Sequence, residues 1–156
     1  MLLLQCEVVT AERRVYVGDV SEVVAPAASG QVAIRPRHAP LLTALEPGEL
    51  RLLRPGQDDL IMAVGGGFME VRDDKVVILA DSAERADEID IERARRAREQ
   101  AMQLLQRKAE NIDFAKAEAA LRRAMARLSV AERARMRRGR AGGGRGETPD
   151  IGAGGE

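Results

Sequence analysis

The pattern of this chain changes at Leu79-Ala80-Asp81-Ser82-Ala83-Glu84. Before this stretch, apolar and polar residues alternate in short runs such as Leu4-Gln5-Cys6-Glu7-Val8, which is the two-residue period of a half-buried strand. After it, apolar residues recur every three or four positions, which is the period of an amphipathic helix. The sequence therefore predicts a strand-rich domain in residues 1–81 and a helical region in residues 82–138.

Short runs in the first half are predicted to be strands, because turn residues separate them. They are Leu4–Val8, Arg14–Val17, Val20–Ala25, Gln31–Ile34, Glu49–Arg54, Leu60–Val64, Phe68–Val71 and Lys75–Ala80. Gly18, Pro47-Gly48 and Gly65-Gly66-Gly67 are interpreted as turns, since glycine and proline permit or preset unusual backbone angles. Many short strands joined by turns predict an antiparallel sandwich or barrel.

Two apolar stripes in the second half predict two helices. The stripes consist of Ala94, Ala97, Ala101, Leu104 and Leu105, and of Phe114, Ala117, Leu121, Ala124, Met125 and Leu128. The polar break at residues 108–113 is short, so the helices should form an antiparallel hairpin, with Asn111 or Asp113 as the N-cap of the second. Residues 139–156 are glycine-rich and too polar to pack, and we predict that they form a disordered tail.

Composition narrows the class of protein. Twenty-five basic and 25 acidic residues give a net charge of zero over 156 residues, but residues 1–81 are acidic and residues 82–138 are basic. The one cysteine, Cys6, cannot form an internal disulfide, so nothing requires an oxidising compartment. The first residues lack the basic leader of a signal peptide, and no apolar run is long enough to span a membrane. We therefore expect a cytosolic protein without direct membrane insertion.

Six stretches in order carry a resemblance to a known family. They are Val9-Thr10-Ala11-Glu12-Arg13, Gly18-Asp19-Val20, Pro36-Arg37-His38-Ala39-Pro40-Leu41, Gly66-Gly67-Phe68-Met69-Glu70-Val71, Leu79-Ala80-Asp81-Ser82-Ala83-Glu84 and Arg127-Leu128-Ser129-Val130-Ala131-Glu132-Arg133. From Leu4 to Arg133 the chain resembles the epsilon subunits of F-type ATP synthases. The resemblance implies an α+β fold: a ten-stranded antiparallel β-sandwich followed by an antiparallel two-helix hairpin, outside which the Gly-rich tail lies.

The resemblance also implies a function. Members of this family are non-catalytic rotor subunits of a proton-translocating ATP synthase at the cytoplasmic face of the bacterial membrane. Their sandwich contacts the gamma subunit and the c-ring, and their helices can extend to the alpha/beta catalytic ring and restrain ATP hydrolysis. Carried over to this chain, the gamma and c-ring contact region includes Gly30, His38, Ala39 and Pro40, and the inhibitory contact with the beta subunit includes Arg122, Arg123 and Arg127.

One departure from the family pattern lies in the turn around His38. Arg35 and Arg37 stand where the family usually has Leu and Gly. Two added cations would alter how this edge meets gamma or the c-ring.

A second motif indicates a regulatory ligand, ATP, while no cofactor is required. Ile89-Asp90-Ile91-Glu92-Arg93-Ala94 matches the Ile-Asp-x-x-Arg-Ala motif of ATP-binding members of the family. Asp90 and Arg93 lie one helical turn apart, so a carboxylate could accept from the nucleoside while a guanidinium meets phosphate. The resemblance adds Glu84 and, from the second helix, Arg123 and Arg127; Gln100 stands where the ATP-binding relatives have another arginine.

A purely structural interpretation of the same residues stays open. Asp90 at the start of a helix favours the helix dipole, and an i,i+3 pair with Arg93 contributes roughly 0.2–0.5 kcal/mol. The helix stripes are dominated by alanine, whose burial yields little, so we expect shallow packing and a hairpin that can change position.

Other classes of function have weaker support. His38 is the only histidine and has no cysteine or carboxylate pattern around it, so we predict neither a catalytic nor a metal site. The Arg-rich helices suggest a free-standing ATP-sensing or nucleic-acid-binding module as the alternative function. Against nucleic acid, ten acidic residues are interleaved in residues 82–138, and the chain has one Tyr, two Phe and no Trp to stack on bases. Co-purification with gamma distinguishes the two hypotheses.

Overall fold

The computed structural model describes residues 2–107 and 113–142, which form a β-sandwich followed by two helices. The strands are β1 (Leu4–Val9), β2 (Arg14–Val20), β3 (Glu22–Ala27), β4 (Gly30–Ile34), β5 (Leu41–Leu53), β6 (Leu60–Arg72), β7 (Lys75–Ala80) and β8 (Ala83–Arg85). A 3₁₀ turn at Ala86–Glu88 leads to α1 (Ile91–Gln106) and α2 (Phe114–Gly142). The predicted fold class is confirmed.

One continuous sheet forms both layers of the sandwich. Its strand order is β2-β1-β7-β6-β5-β3-β4, and β8 pairs with β6 beside this path. Every pair is antiparallel except β1 with β7. Fully buried apolar side chains from strands of both layers fill the interior, among them Leu4, Ile34, Leu50, Met62 and Ile78. The apolar core thus lies between the two halves of one folded sheet.

The sheet folds where β5 and β6 bend together. In β5 the core-facing positions change from odd-numbered Leu45 to even-numbered Leu50, and in β6 from even-numbered Val64 to odd-numbered Met69. The pairing register stays constant across both changes. Positive φ angles at Gly66 (106°) and its neighbour Gly67 (132°) interrupt the normal alternation.

Three sequence predictions about turns are therefore wrong. Pro47-Gly48 lies inside β5, Gly65-Gly66-Gly67 lies inside β6, and Gly18 lies inside β2. In residues 2–107 and 113–142 there are eight strands where the resemblance implied ten, because β5 and β6, of 13 residues each, run through both layers. The last strand, β8, was not predicted, since three residues are too few to display an alternation.

The helices begin where capping side chains were expected. Asp113 accepts a hydrogen bond from the backbone N–H of Lys116 at 3.1 Å, which confirms it as the N-cap of α2. The alternative cap, Asn111, and the connection at residues 108–112 lie outside the described residues. The helix α2 extends to Gly142, four residues into the segment assigned to the tail, and residues 143–156 are likewise outside the description.

The helix α2 has two packed faces rather than one. The two stripes predicted to face each other are correct at Ala94 and Ala101 of α1 and at Ala117 and Ala124 of α2, which are buried. Leu104, Phe114 and Met125 of these stripes are 43%, 47% and 55% exposed. The buried residues Ala126, Val130 and Ala131 were missed, because they belong to a second face that packs on the sandwich. No helix in the described ranges is long and apolar enough to cross a membrane.

Replacing Gly67 with alanine should destabilise the sandwich strongly. A side-chain carbon at this position would overlap the main-chain carbonyl of Leu79, and the φ of 132° is strained for any other residue. We expect Gly67→Ala to lower the free energy of unfolding in urea by about 3 kcal/mol or more.

Gly139→Ala is the matched control. Apart from its chain neighbours and the nearby backbone of its own helix, no described residue would lie within 4 Å of the added carbon. Position 139 is helical, so this change should be neutral or stabilise by up to about 1 kcal/mol. Equal stabilities for the two variants would contradict the importance of the bend.

Candidate functional site

A cavity of about 410 Å³ lies where β8, the 3₁₀ turn and the two helices meet. Its lining residues come from all four elements: Glu84, Glu88, Asp90, Arg93, Ala94, Ala97 and Arg127. Five of the residues predicted to bind ATP are among them, namely Glu84, Asp90, Arg93, Ala94 and Arg127. Segments that are distant in sequence therefore form one site only because the hairpin is folded against the sandwich.

The start of α1 forms one wall of the cavity. Asp90 is the N-cap, and its Oδ1 accepts a hydrogen bond from the backbone N–H of Arg93 at 3.1 Å. The structural interpretation of Asp90 as a helix-start residue is thus confirmed. Because Asp90 also lines the cavity, capping the helix and facing a ligand are compatible roles.

The opposite wall is held by an ion pair between α2 and β8. The Nε of Arg127 donates to Oε1 of Glu84 at 2.6 Å, and Nη2 lies 2.6 Å from the same oxygen. Both side chains are about one-third exposed or less, at 31% and 27%. The cation at this wall is therefore already neutralised, and a bound anion would have to share it with Glu84 or displace Glu84.

Glu88 lines the cavity, and Arg13, which lies outside the cavity, holds its carboxylate in place. The Arg13 Nη2 donates to Oε2 of Glu88 at 2.7 Å, and the backbone N–H of Arg85 donates to the same oxygen at 3.1 Å. The hydrogen bond and charge of Arg13 hold the pKa of Glu88 below its ordinary value. Sequence reasoning missed Glu88, because the motif that identified Asp90 begins at Ile89 and does not extend into the 3₁₀ turn.

Two predicted ATP-binding residues do not line the cavity. Ile89 is buried in the apolar cluster beneath α2, at 9% exposure. The stem of Arg123 lies over the sandwich, with Cδ 3.3 Å from the point where a side chain at Gly65 would begin. Gln100 lines a separate cavity on α1. The lining therefore holds three carboxylates and two guanidinium groups.

The helix α2 docks on the outer face of the sandwich through a small apolar cluster. Ile61 and Ala63 of β6 meet Ala126, Val130 and Ala131 of α2. With Ile89, the cluster has six buried side chains, of which three are alanine, so the apolar area that docking buries is moderate. The acidic and basic halves recognised in the sequence face each other around this cluster.

The arginines assigned to the inhibitory contact are turned towards the sandwich in this structure. Arg122 Nη1 lies 3.1 Å from Oε2 of Glu46 in β5, while Arg127 and Arg123 meet the groups described above. Around half of the Arg122 side chain, 51%, is exposed. In the docked hairpin, Arg122 and Arg127 are therefore paired with carboxylates of the sandwich rather than with the beta subunit to which the resemblance assigns them.

Exposed apolar side chains also lie on the outer face of the sandwich layer that does not contact α2. Leu42, Phe68 and Leu79 are 72%, 58% and 56% exposed. Phe68 pairs directly with Leu79 on β7 and with Ala44 on β5, so these side chains adjoin one another across three strands. We call Leu42, Ala44, Phe68 and Leu79 the apolar face.

The residues predicted to contact the c-ring lie at opposite ends of β4. Gly30 begins this strand with φ of 122°, while His38, Ala39 and Pro40 follow its other end. Arg37, where the family usually has glycine, adopts a positive φ of 66°, and its backbone N–H donates to Asp74 Oδ1 at 2.6 Å. The departure places a strained residue at a position that glycine would occupy without cost.

Arg35, the second departure, makes an ion pair. Its Nε lies 2.8 Å from Oε2 of Glu22 in β3. Within residues 2–107 and 113–142, no group of histidine, cysteine and carboxylate side chains is arranged to hold a metal ion.

Comparison with known families accounts for most of the chain. The family described as ATP synthase, Delta/Epsilon chain, beta-sandwich domain matches residues 3–86. The family described as ATP synthase, Delta/Epsilon chain, long alpha-helix domain matches residues 87–132. The boundary between the two matches falls in the 3₁₀ turn that precedes α1.

Individual relatives agree with these matches. The ATP synthase epsilon chain of Herpetosiphon aurantiacus is 52% identical over 134 residues, which cover 86% of this chain and 98% of the relative. The ATP synthase epsilon chain of Dehalococcoides mccartyi is 50% identical over 136 residues, covering 86% and 96%. A chain in the cryo-EM structure of the Euglena gracilis mitochondrial ATP synthase has a TM-score of 0.70 at 22% identity, covering 85% of this chain and 81% of that chain, and shares the fold.

Proposed function

The chain belongs to the ATP synthase delta/epsilon family, as an epsilon-type chain of the central stalk, and from this we propose that it couples the c-ring to the gamma subunit during rotation. In this role it is a rotor subunit without catalytic activity, peripheral at the cytoplasmic face of the bacterial membrane. Its partners are gamma, the c-ring and the alpha/beta ring of a proton-translocating enzyme.

The apolar face carries the proposal. Adjoining apolar side chains that remain exposed on a soluble domain mark a surface for a protein partner. The hairpin docks on the outer face of one layer, whereas Leu42, Phe68 and Leu79 lie on the outer face of the other. Gamma can therefore bind this face whether the helices are docked or extended.

Phe68→Lys should weaken binding to gamma by at least about tenfold. A large aromatic residue at the centre of an interface contributes about 2 kcal/mol or more, and lysine adds a charge that binding would desolvate. Interferometry with immobilised gamma measures the change. Leu104→Lys is the control, since Leu104 is exposed on α1 away from this face, and equal affinity of both variants would exclude the apolar face as the gamma surface.

A second element of the proposal is that ATP binds in the cavity and stabilises the folded hairpin. The volume of about 410 Å³ lies within the range of small-ligand sites, roughly 300–1,000 Å³. Because the lining comes from β8, α1 and α2, a ligand there favours the docked state. ATP at 100 times its Kd would contribute about 2.7 kcal/mol to that state.

Calorimetry on the isolated chain tests ATP binding. Arg93→Ala should weaken affinity by about tenfold, because it removes a charge-assisted phosphate contact. Arg123→Ala, outside the cavity, should change affinity less than about threefold. Absence of heat for the wild-type chain at millimolar ATP would contradict the proposal and leave Asp90 with its capping role alone.

The third element is inhibition of ATP hydrolysis by the helices when they extend. Arg122 would meet the acidic segment of the beta subunit in that state, but in the docked state it pairs with Glu46 at 3.1 Å. Arg122 cannot lie against Glu46 and against the beta subunit at the same time, because the helix that carries it changes position between the two states. Docking and inhibition are then mutually exclusive.

Two variants of this pair should act in opposite directions on the assembled enzyme. Glu46→Gln frees Arg122 and should lower ATP hydrolysis by about twofold, the modest size expected for an exposed ion pair. Arg122→Gln should raise hydrolysis, because the contact with beta loses a cation. Changes in the same direction, at normal assembly, would rule out a competition for Arg122.

A further inference from the structure

The last turns of α2 reach beyond the part of the chain that matches the family. The helical match ends at residue 132, whereas α2 continues to Gly142. Arg133 and Arg137 lie one turn apart in this extension, so they project from the same side of the helix. That side faces the sandwich.

Both arginines bind the sandwich. Arg133 Nη1 lies 2.8 Å from Oε1 of Glu49, whose Oε2 also accepts from the Ser129 hydroxyl at 3.4 Å. Arg137 Nη1 donates to the backbone carbonyl of Asp59 at 3.0 Å, and its Nη2 lies 3.7 Å from the Asp59 carboxylate. The two acidic side chains are sheltered, at 18% and 31% exposure.

These contacts are independent of the candidate nucleotide cavity. Neither arginine, and neither Glu49 nor Asp59, lines that cavity. The apolar cluster that they flank buries three larger aliphatic side chains, Ile61, Ile89 and Val130, beside three alanines. The contacts of Arg133 and Arg137 add to the docking free energy that this cluster supplies, at the end of α2 that lies beyond it.

We propose that Arg133 and Arg137 form a clamp, closed on Glu49 and Asp59, that keeps the hairpin folded without any nucleotide. The clamp sets the resting population of docked hairpin, on which a ligand in the cavity then acts. Because its interactions are ionic and partly exposed, it loosens as ionic strength rises. The inference requires neither ATP binding nor a rotary partner.

A buried cysteine reporter measures the undocked population. Val130→Cys places a thiol in the apolar cluster, where the native side chain is 0% exposed, so it reacts with a disulfide reagent only when α2 leaves the sandwich. The native Cys6 is a silent internal control, since burial raises the pKa of its thiol to about 12. Continued protection of Cys6 verifies that the sandwich stays folded.

Charge-removing variants of the full chain in this reporter background, without nucleotide, provide the test. Arg133→Gln with Arg137→Gln should raise the reaction rate of the reporter roughly threefold to tenfold. Glu49→Gln with Asp59→Asn should raise it similarly while leaving the helix sequence unchanged. Added salt should accelerate the reaction of the parent protein and have less effect on either double variant.

Arg135→Gln with Arg138→Gln is the matched control. Both residues are exposed on the same helix and take no part in the clamp, so the rate should stay within about twofold of the parent. An unchanged rate in both clamp variants, or an equal rise in the control, would overturn the proposal.

Discussion

The close approach of backbone to backbone at the bend of β6 is the constraint on which the rest of the structure depends. Gly67 lies against the carbonyl of Leu79, and Gly65 lies beneath Ser82 and the stem of Arg123. The first approach lets the sheet fold over its own core, and the second lets α2 lie close to the sheet. The glycines of one short segment thus permit both the folding of the sheet and the docking of the hairpin.

Ion pairs then supply the specificity that the apolar cluster lacks. Four arginines of α2, at positions 122, 127, 133 and 137, meet carboxylates of the sandwich along the length of the helix. Exposed pairs of this kind are individually weak but fix the register of the helix on the sheet. An interface with moderate apolar burial and several weak pairs suits the proposed exchange of the hairpin between docked and extended states, because such states differ by only a few kcal/mol.

Much of this architecture could be predicted from local sequence, and the errors have physical causes. Periodicity located both helices and most strands, and the resemblance identified five residues of one cavity, namely Glu84, Asp90, Arg93, Ala94 and Arg127. The turn predicted at Gly65-Gly66-Gly67 was wrong, because a run of glycines has the same sequence in a turn and in a bent strand.

The errors on the helices share one cause. Leu104 and Met125 fit the helical stripe but remain exposed, while Ala126 and Val130 pack on the sandwich. A single stripe cannot reveal that α2 has two neighbours. The position of Arg123 likewise depends on the space above Gly65, which only the folded sheet creates.

The bend also has a mechanical consequence. Because β6 is one unbroken strand, Phe68 on one outer face and Ile61 on the other are joined by covalent backbone and by the hydrogen bonds of the ladder with β5. In a sandwich of two separate sheets, a shearing load would pass through side-chain packing, which slides more easily than a ladder stretches. Here torque applied at one face reaches the opposite face along about 23 Å of strand at most, at about 3.3 Å per residue. The sandwich is accordingly stiff against sliding of one layer over the other.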